Sequence, residues 1–287
     1  MKYLFIEGEA INHAIVMLCR VLQVSRSGYY AWRCRGANRY ARANEQLRVA
    51  VQRIHYAHRE AYGTRRIKTV LANEGHQVSR ERIAHAKQLL GLWTQRRRRH
   101  QRSQRAKRTR EVAPNRLQRC FTAEHPNQVW VADVTSVWTR QGWLHIAAVM
   151  DLFARRIVGW ASGRVNNDGL TTAALEQALD NRRPQPGLLH HSDRGFHYTG
   201  QRYCSLLEKH GLIRSLSRVG DCYDNAAMES FFSSLKNELT HHETYTTRAD
   251  ARVAIYDYIE CFYNRQRLHS TLGNISPVQY EKLYAVA

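Results

Sequence analysis

Three carboxylate residues in the second half of the chain have the types and settings that metal-dependent phosphoryl transfer requires. Asp133 lies inside the apolar run Trp-Val-Ala-Asp-Val-Thr, where an unpaired acid would be costly to bury. Asp193 follows a short predicted strand, and 35 residues separate it from Glu229 on a predicted helix. Such groups can converge on a hard divalent cation that keeps open positions for substrate phosphates. Two Mg²⁺ or Mn²⁺ ions held this way could activate a water or a 3′-hydroxyl and stabilise the leaving oxygen of an in-line displacement.

The same three acids also have purely structural interpretations. Asp133 could cap or pair locally, Asp193 could be a turn residue, and Glu229 could form a salt bridge on a helix surface. Acids are common in this half of the chain, so the spacing alone does not decide between the two interpretations. Lys236, seven residues after Glu229, lies on nearly the same helix face.

Other residues that could do chemistry are assigned supporting roles. His190, His191 and His197 flank Asp193 and suggest a zinc site. Adjacent histidines on a strand point to opposite faces, however, and no cysteine lies at ligand spacing, so we interpret them as packing or supporting residues. Asp151 is interpreted as a turn cap rather than a fourth ligand. The six cysteines are spread singly and predict no disulfide framework, and no Walker-type loop indicates ATP use.

The elements that must position these acids alternate between strands and helices after residue 120. Three hairpin-like strands followed by βαβα units predict an α/β domain with a mixed sheet and helices on both faces. Such a sheet brings residues at its strand ends into one cleft. Predicted strands cover 129–138, 144–150, 157–161, 187–191 and 213–216, and predicted helices cover 170–179 and 203–207.

The first 120 residues are strongly basic. They contain 27 Lys and Arg against 7 Asp and Glu, whereas the rest of the chain has 17 of each. The whole formal charge of +20 therefore lies in the N-terminal part. Such a charge favours a polyanionic partner, nucleic acid ahead of an anionic membrane surface. No apolar run reaches the roughly 18 residues of a membrane span and no signal peptide is visible, so we expect a cytoplasmic protein.

Two units with a helix-turn-helix outline precede the sheet domain. In the first, an apolar helix is followed by a Ser-Arg-Ser-Gly turn at 25–28 and a second helix from Tyr29. In the second, a short helix ends at Gly75, and Ser79 caps another helix that could enter a DNA groove. A small helical bundle that never touches DNA would have the same outline. The side chains predicted to lie away from the buried side of this last helix are Arg80, Arg82, His85 and Lys87.

A segment at 96–110 contains nine basic residues and no acid. Because four consecutive arginines repel each other unless an anion is near, we interpret it as an arm that becomes ordered on DNA, with a merely solvated linker as the alternative. The predicted domains are a first helical unit (1–58), a second helical unit (59–94), the basic linker or arm (95–120), and the sheet domain with a C-terminal helical segment (121–287).

Four ordered motifs lie between residues 130 and 281. They are Trp-Val-Ala-Asp-Val-Thr, His-Ser-Asp-Arg-Gly, and the stretches 215–239 and 263–281. Together they resemble the integrase core of DDE-class bacterial insertion-sequence transposases, above all the second-reading-frame product (OrfB) of the IS-three family. Residues 25–32 and 62–67 resemble that family's N-terminal region, so the similarity covers nearly the whole chain. His197 and Asn274 depart from the family pattern, where glutamine and an aromatic residue are common.

The resemblance implies an RNase H-like catalytic fold with a five-stranded sheet, in which Asp133, Asp193 and Glu229 form the metal-binding and catalytic triad. It also implies that Lys236 contacts transposon-end DNA and that Asn225 stands near the active site. The implied partners are double-stranded DNA of the transposon ends and target, a second copy of the chain on DNA, and a first-frame (OrfA) protein or fusion. The candidate DNA contacts are Lys236, Asn225, Arg65, Arg66, Arg80, Arg82, Arg96, Arg97, Arg98, Arg99 and Lys107.

The expected function is therefore that of a Mg²⁺- or Mn²⁺-dependent DNA transposase, with two ions in each active site. It would bind terminal inverted repeats, cleave the transposon ends and join the freed 3′-hydroxyl to another strand. Two alternatives stay open: a nuclease of the same fold that only hydrolyses, and a DNA-binding regulator whose catalytic half is inert. No sustained heptad is present, so we expect the catalytic frame alone, in the bacterial cytoplasm and associated with the nucleoid.

Overall fold

The computed structural model describes residues 2–34, 39–93, 113–218 and 222–284. The predicted arm at 96–110, with the candidate contacts Arg96, Arg97, Arg98, Arg99 and Lys107, lies outside these residues. No helix in the described ranges is both long enough and apolar enough to cross a membrane.

The first helical unit consists of α1 (Lys2–Glu9), α2 (Ile15–Val21) and α3 (Arg26–Cys34). The predicted turn at 25–28 is shorter than expected, because α3 begins at Arg26 rather than at Tyr29. Ser25 Oγ accepts a hydrogen bond from Gly28 N (3.0 Å), which satisfies a free amide of the first turn. Gly28 lies inside the helix, where a Cβ atom would come within 2.5 Å of the Tyr3 hydroxyl. The glycine therefore permits the close approach of α1.

The second helical unit consists of α4 (Arg39–Ala57), α5 (Thr64–Asn73) and α6 (Arg80–Leu89). The predicted helix limits in this unit are confirmed. Gly75, after α5, has a φ of +84°, and Ser79 Oγ caps α6 by accepting a hydrogen bond from Arg82 N (3.3 Å). Across the predicted boundary between 58 and 59, α4 packs on α5 and α6. The buried residues that join the three helices are Leu47, Val51, Ile54, Ile67, Leu71 and Ile83.

Within the described residues, one mixed sheet contains the strands β1 (Val129–Thr139), β2 (Gly142–Asp151), β3 (Arg156–Gly163), β4 (Leu189–Ser192) and β5 (Ile213–Leu216). The order is β3-β2-β1-β4-β5. Strands β1, β2 and β3 pair antiparallel, whereas β4 is parallel to β1 and β5 is parallel to β4. This is the RNase H-like arrangement, and it confirms the predicted α/β class and mixed sheet.

Helices cover both faces of the sheet. On one face α7 (Asp168–Arg182), α8 (Phe196–Thr199) and α9 (Gln201–Lys209) pack against Trp130 and Ala132. On the other face α10 (Ala226–Leu235) and α11 (Arg248–Tyr256) pack against Val131 and Val137. Wider helical turns extend α10 to Thr240 and α11 to Tyr263, and α12 (Pro277–Tyr284) follows. Alternate residues of β1 therefore contribute to two separate cores.

The end of the predicted linker is packed on the sheet domain. Ser215 Oγ, on β5, accepts hydrogen bonds from Arg116 N (2.9 Å) and Leu117 N (3.2 Å), and the Leu117 side chain is buried. Within the predicted linker or arm at 95–120, these contacts hold Arg116 and Leu117 against the sheet domain.

The second helical unit meets the sheet domain through residues near the end of α4 and the start of α5. Leu268 N donates to the Tyr62 hydroxyl (2.9 Å). Arg59 forms an ion pair with Asp257, and its guanidinium lies 5.3 Å from the centre of the Phe262 ring. Hydrogen bonding, charge pairing and a cation–π contact thus join the two parts.

Candidate active site

Asp133 lies in the middle of β1, opposite Ala148 of β2. The alternation along the strand places its side chain on the same face as Val131 and Val137, which is the face covered by α10. Its Oδ1 atom accepts a hydrogen bond from Val134 N (2.7 Å). The carboxyl group of Asp133 therefore faces the helix that contains Glu229.

Asp193 follows β4 directly. Because β4 is parallel to β1, its carboxyl end lies at the same edge as the second half of β1. The turn is held by two hydrogen bonds: Gly195 N donates to Asp193 Oδ1 (2.8 Å) and Arg194 Nε donates to Ser217 O (2.6 Å). A Cβ at position 195 would lie 2.6 Å from the His197 ring, so glycine allows the ring to pack on the turn.

Glu229 lies in the first turn of α10, and the residues just before the helix fix its position. Asn225 Nδ2 donates to Ala132 O (3.0 Å), which ties the start of α10 to the residue preceding Asp133. This explains why an asparagine stands here, and it places Asn225 near the site, as the resemblance implied. The Asn225 side chain is buried in this structure.

Asp224 is a supporting residue that sequence reasoning missed. Its buried carboxylate accepts from Arg218 N (2.8 Å), Arg218 Nη2 (3.0 Å), Arg119 Nε (3.2 Å) and Asn115 Nδ2 (2.8 Å). These hydrogen bonds, those from Arg218 above all, hold the pKa of Asp224 well below its ordinary value. In the sequence, the dipeptide Asp224-Asn225 was the available indication of this role. It could not identify the hydrogen-bond partners of Asp224, which are distant in the sequence.

The electrostatics join the three carboxylates into one site. Burial above all, together with the charges of Asp193 and Glu229, raises the pKa of Asp133 to about 7, although the Val134 N–H and the Lys236 ammonium act to lower it. Lys236 therefore acts on the same carboxyl group. In the described ranges no three His, Cys, Asp or Glu side chains lie at metal-ligand spacing. The acids are electrostatic neighbours but do not surround a common point closely enough to coordinate an ion.

The histidines next to Asp193 contact different elements. His190 Nε2 lies 3.0 Å from the Tyr203 hydroxyl, and His191 Nδ1 lies 2.8 Å from Ser215 Oγ. Burial lowers the pKa of His190 to about 3 and that of His191 to about 4, so both rings are neutral. His197 is buried against Gly195. These contacts agree with packing and supporting roles.

Asp151 is a turn cap, as interpreted from the sequence. Its buried carboxylate accepts from Asn127 N (2.8 Å) and Phe153 N (3.1 Å), which fixes the turn between β2 and β3. The hydrogen bonds of the Asp151 carboxylate are therefore made with these backbone amides and not at Asp133.

The candidate DNA contacts on the second helical unit separate into two groups. Arg65 and Arg80 are exposed. Arg66 is half-buried over the Tyr62 ring (5.4 Å), and Arg82 donates to Asn44 Oδ1 (2.9 Å). Of these four arginines, only Arg65 and Arg80 are exposed to solvent, as residues that read a DNA groove must be.

Lys87 does not lie on that surface. Its ammonium is buried and donates to Tyr62 O (3.2 Å), and burial lowers its pKa. The expectation that Lys87 faces outward from α6 is wrong, because the end of this helix packs on the junction with the sheet domain.

Both halves of the chain match known protein families. The integrase core domain matches residues 123–222 and again residues 229–283, and an HTH-like domain matches residues 42–100. The fold and these matches thus define an integrase core domain preceded by an HTH-like helical unit.

Curated relatives extend over nearly the whole chain. The transposase InsF of insertion sequence IS3A from Escherichia coli K12 is 36% identical over 98% of both chains. An uncharacterised 31 kDa protein of insertion element IS600 from Shigella sonnei is 44% identical over 93% of this chain and 98% of its own. The chain belongs to the IS3 family of insertion-sequence transposases, which confirms the resemblance seen in the motifs.

Two solved structures match parts of the chain at low sequence identity. The magnesium-bound catalytic core of HTLV-2 integrase in its trimeric form is 15% identical, with a TM-score of 0.43, and covers 55% of this chain and 98% of its own. A chain of the simian T-cell lymphotropic virus intasome, solved in complex with PP2A regulatory subunit B56 gamma, is 12% identical, with a TM-score of 0.45, and the match covers 75% of this chain and 70% of that chain.

Proposed function

We propose that the chain is a DNA transposase that cleaves the ends of an insertion sequence and joins the freed 3′-hydroxyl to another strand, with Asp133, Asp193 and Glu229 as its metal-binding and catalytic triad. One observation supports the assignment: carboxylates from the centre of β1, the end of β4 and the first turn of α10 are near enough for two of them to raise the pKa of the third. Membership in the IS3 family supports the reaction type.

The donor set fits Mg²⁺ or Mn²⁺. Carboxylate oxygens are the ligands that hard cations prefer, and like charges that repel each other are stabilised by a cation between them. Asn225 Oδ1 is buried and, among the residues described, has no hydrogen-bond partner, so it could accept from an ordered water beside such a cation. Binding would have to draw the carboxylates closer. Two bound cations would supply activation of the attacking oxygen and stabilisation of the leaving oxygen.

The protein's own residues prepare this site in three ways. The Gly195 N–H fixes the orientation of Asp193, and the Asn225 amide fixes α10 against β1. The Asp133 carboxyl, with a pKa of about 7, would release its proton when a cation binds. Lys236 is half-buried beside this carboxyl and would hold a phosphate of the DNA end, since ammonium groups bind phosphates as point charges.

DNA would be held mainly outside the catalytic cluster. Arg65 and Arg80 are exposed on the second helical unit and would contact phosphates. The arm with Arg96–Arg99 would add further contacts. Recognition of terminal inverted repeats, pairing of two copies on DNA and use of a first-frame protein remain part of the proposal.

A strand-transfer assay tests the assignment. The substrate is a labelled duplex that carries the element's terminal repeat, incubated with Mg²⁺ and the purified chain. We expect cleaved and joined products from the wild type, and loss of both from Asp133→Asn, Asp193→Asn and Glu229→Gln, with DNA binding retained. Asp180→Asn, an exposed acid on α7, is the matched control and should retain both products.

The two alternatives give different products. Cleavage without any joined species would indicate a nuclease that only hydrolyses. Equal cleavage by the wild type and all three triad variants would show that the metal site is wrongly assigned, and a regulator with an inert catalytic half would then be favoured.

A further inference from the structure

A polar cavity of about 130 Å³ lies where the second helical unit meets the sheet domain. We call it the junction cavity. Its wall combines Arg66 of α5, Arg155 of the turn between β2 and β3, Ser230 of α10, and the segment that contains Arg267, Ser270 and Thr271. Four parts of the chain that are distant in sequence thus contribute to one small space.

The junction cavity has an excess of positive charge. Arg267 is buried and paired with Glu238, through Nε to Oε2 (2.8 Å) and Nη2 to Oε1 (2.7 Å). Arg66 and Arg155 have no such pairing, since no carboxylate in the described part of the chain lies within ion-pair distance of either. Arg155 Nη2 donates a long hydrogen bond to Phe121 O (3.5 Å).

Two half-buried guanidiniums without counterions are unfavourable unless an anion joins them. Burial lowers the pKa of both Arg66 and Arg155, and the neighbouring Arg267 lowers that of Arg66 further. Arg155 also has a φ of +56°, a left-handed conformation that glycine or asparagine adopts at lower cost. The backbone therefore does not explain why an arginine stands at this turn.

The opening of the junction cavity is suited to a phosphate. Ser230, Ser270 and Thr271 are exposed there and offer hydroxyl donors, while Arg66 and Arg155 are half-buried and Arg267 is buried. Among its described lining residues none is an Asp or Glu, so the wall contains no group that would repel an anion. His269 is neutral, because burial and Arg267 lower its pKa to about 2. Guanidinium and hydroxyl donors together are a recurrent means of binding phosphate oxygens.

We propose that the junction cavity binds a phosphate group of the DNA backbone, so that a single phosphate is held by the helical unit through Arg66 and by the catalytic core through Arg155. The identity of DNA as the partner rests on the proposed function. The site would thereby fix the DNA-binding half relative to the cutting half when DNA is present.

Two measurements on the full chain in EDTA test this proposal without requiring catalysis. The first is the thermal unfolding midpoint in inorganic phosphate against chloride at equal ionic strength. The second is the salt dependence of binding to a fluorescent duplex. The variants are Arg155→Gln and Arg66→Gln, which remove one guanidinium from each side. Arg252→Gln, an exposed arginine on α11, is the control with the same charge change.

We expect phosphate to raise the unfolding midpoint of the wild type and of Arg252→Gln, and to have little effect on the two cavity variants. The slope of log K against log salt should fall by about 0.9 in each cavity variant, the value for one lost phosphate contact. Arg155→Lys, which keeps the charge, should restore the slope and thereby exclude misfolding as the cause.

Slopes equal to that of the wild type in both cavity variants would overturn the proposal. If the phosphate effect on stability is lost while the slopes stay unchanged, the cavity takes free phosphate and not the DNA backbone, which also overturns it. If the strand-transfer assay shows that the triad is wrongly assigned, the results for the unfolding midpoint and the salt slope would not change. The two proposals can therefore fail separately.

Discussion

Asp133→Asn should stabilise the metal-free protein at neutral and alkaline pH. Burial and two neighbouring carboxylates raise the pKa of Asp133 from 3.8 to about 7. The folded state thus binds this proton more tightly than the unfolded state, and the resulting stabilisation is complete below about pH 4 and lost as the pH rises through about 7. A shift of this size corresponds to at most about 4 kcal/mol. Because water reaches part of Asp133, we expect about 2–4 kcal/mol.

The assay is urea unfolding in EDTA between pH 4 and pH 8, followed by tryptophan fluorescence, since Trp130, Trp138, Trp143 and Trp160 lie on the sheet. Asparagine stays neutral, so the variant should unfold at higher urea than the wild type at pH 8 and at the same urea at pH 4. The exposed Asp180→Asn control should stay within about 0.5 kcal/mol of the wild type. An Asp133→Asn variant that is no more stable than the wild type at pH 8 would refute the electrostatic reasoning.

Three further perturbations have defined outcomes. Asp224→Asn should cost about 1–3 kcal/mol of unfolding free energy at pH 7, because it weakens the hydrogen bonds from Arg218. Since the folded-state pKa of Asp224 is lowered, the difference in unfolding free energy between the wild type and this variant should narrow as the pH falls below about 4. A difference that stays constant with pH would contradict this prediction. Gly159→Ala should lower the unfolding free energy by about 1–3 kcal/mol, because its Cβ would lie 2.4 Å from Ala174 O. Gly8→Ala has open space around its Cβ and, in the same thermal unfolding assay, should be neutral or stabilising. Replacing Arg96–Arg99 with alanine should reduce the salt slope of DNA binding by about 0.9 for each lost phosphate contact, and an unchanged slope would favour a solvated linker.

Much of the sheet domain could be predicted because its signals are local. The apolar and β-branched runs identified all the strands that the described residues contain, and Ser79 and Gly75 identified the limits of helices in the second unit. Asp133 was recognisable because an acid in the middle of a buried strand conflicts with its surroundings unless it has a function.

The features that sequence reasoning missed depend on contacts between distant segments. Lys87 has the spacing of an exposed side chain, yet its ammonium donates to Tyr62 O at the junction with the sheet domain. The amide of Asn225 binds the carbonyl of Ala132, which lies on a strand far from it in the sequence. The junction cavity was likewise invisible, because Arg66 and Arg155 come together only through tertiary packing.

The most direct test of the central claim is a titration of the purified chain with Mn²⁺, with the free ion measured by electron paramagnetic resonance. If Asp133, Asp193 and Glu229 share a metal site, the wild type and Asp180→Asn should bind Mn²⁺ equally. Asp133→Asn, Asp193→Asn and Glu229→Gln should each weaken binding by at least about tenfold, as removing a ligand does more than altering its surroundings. Unchanged Mn²⁺ affinity in all three variants would contradict the account.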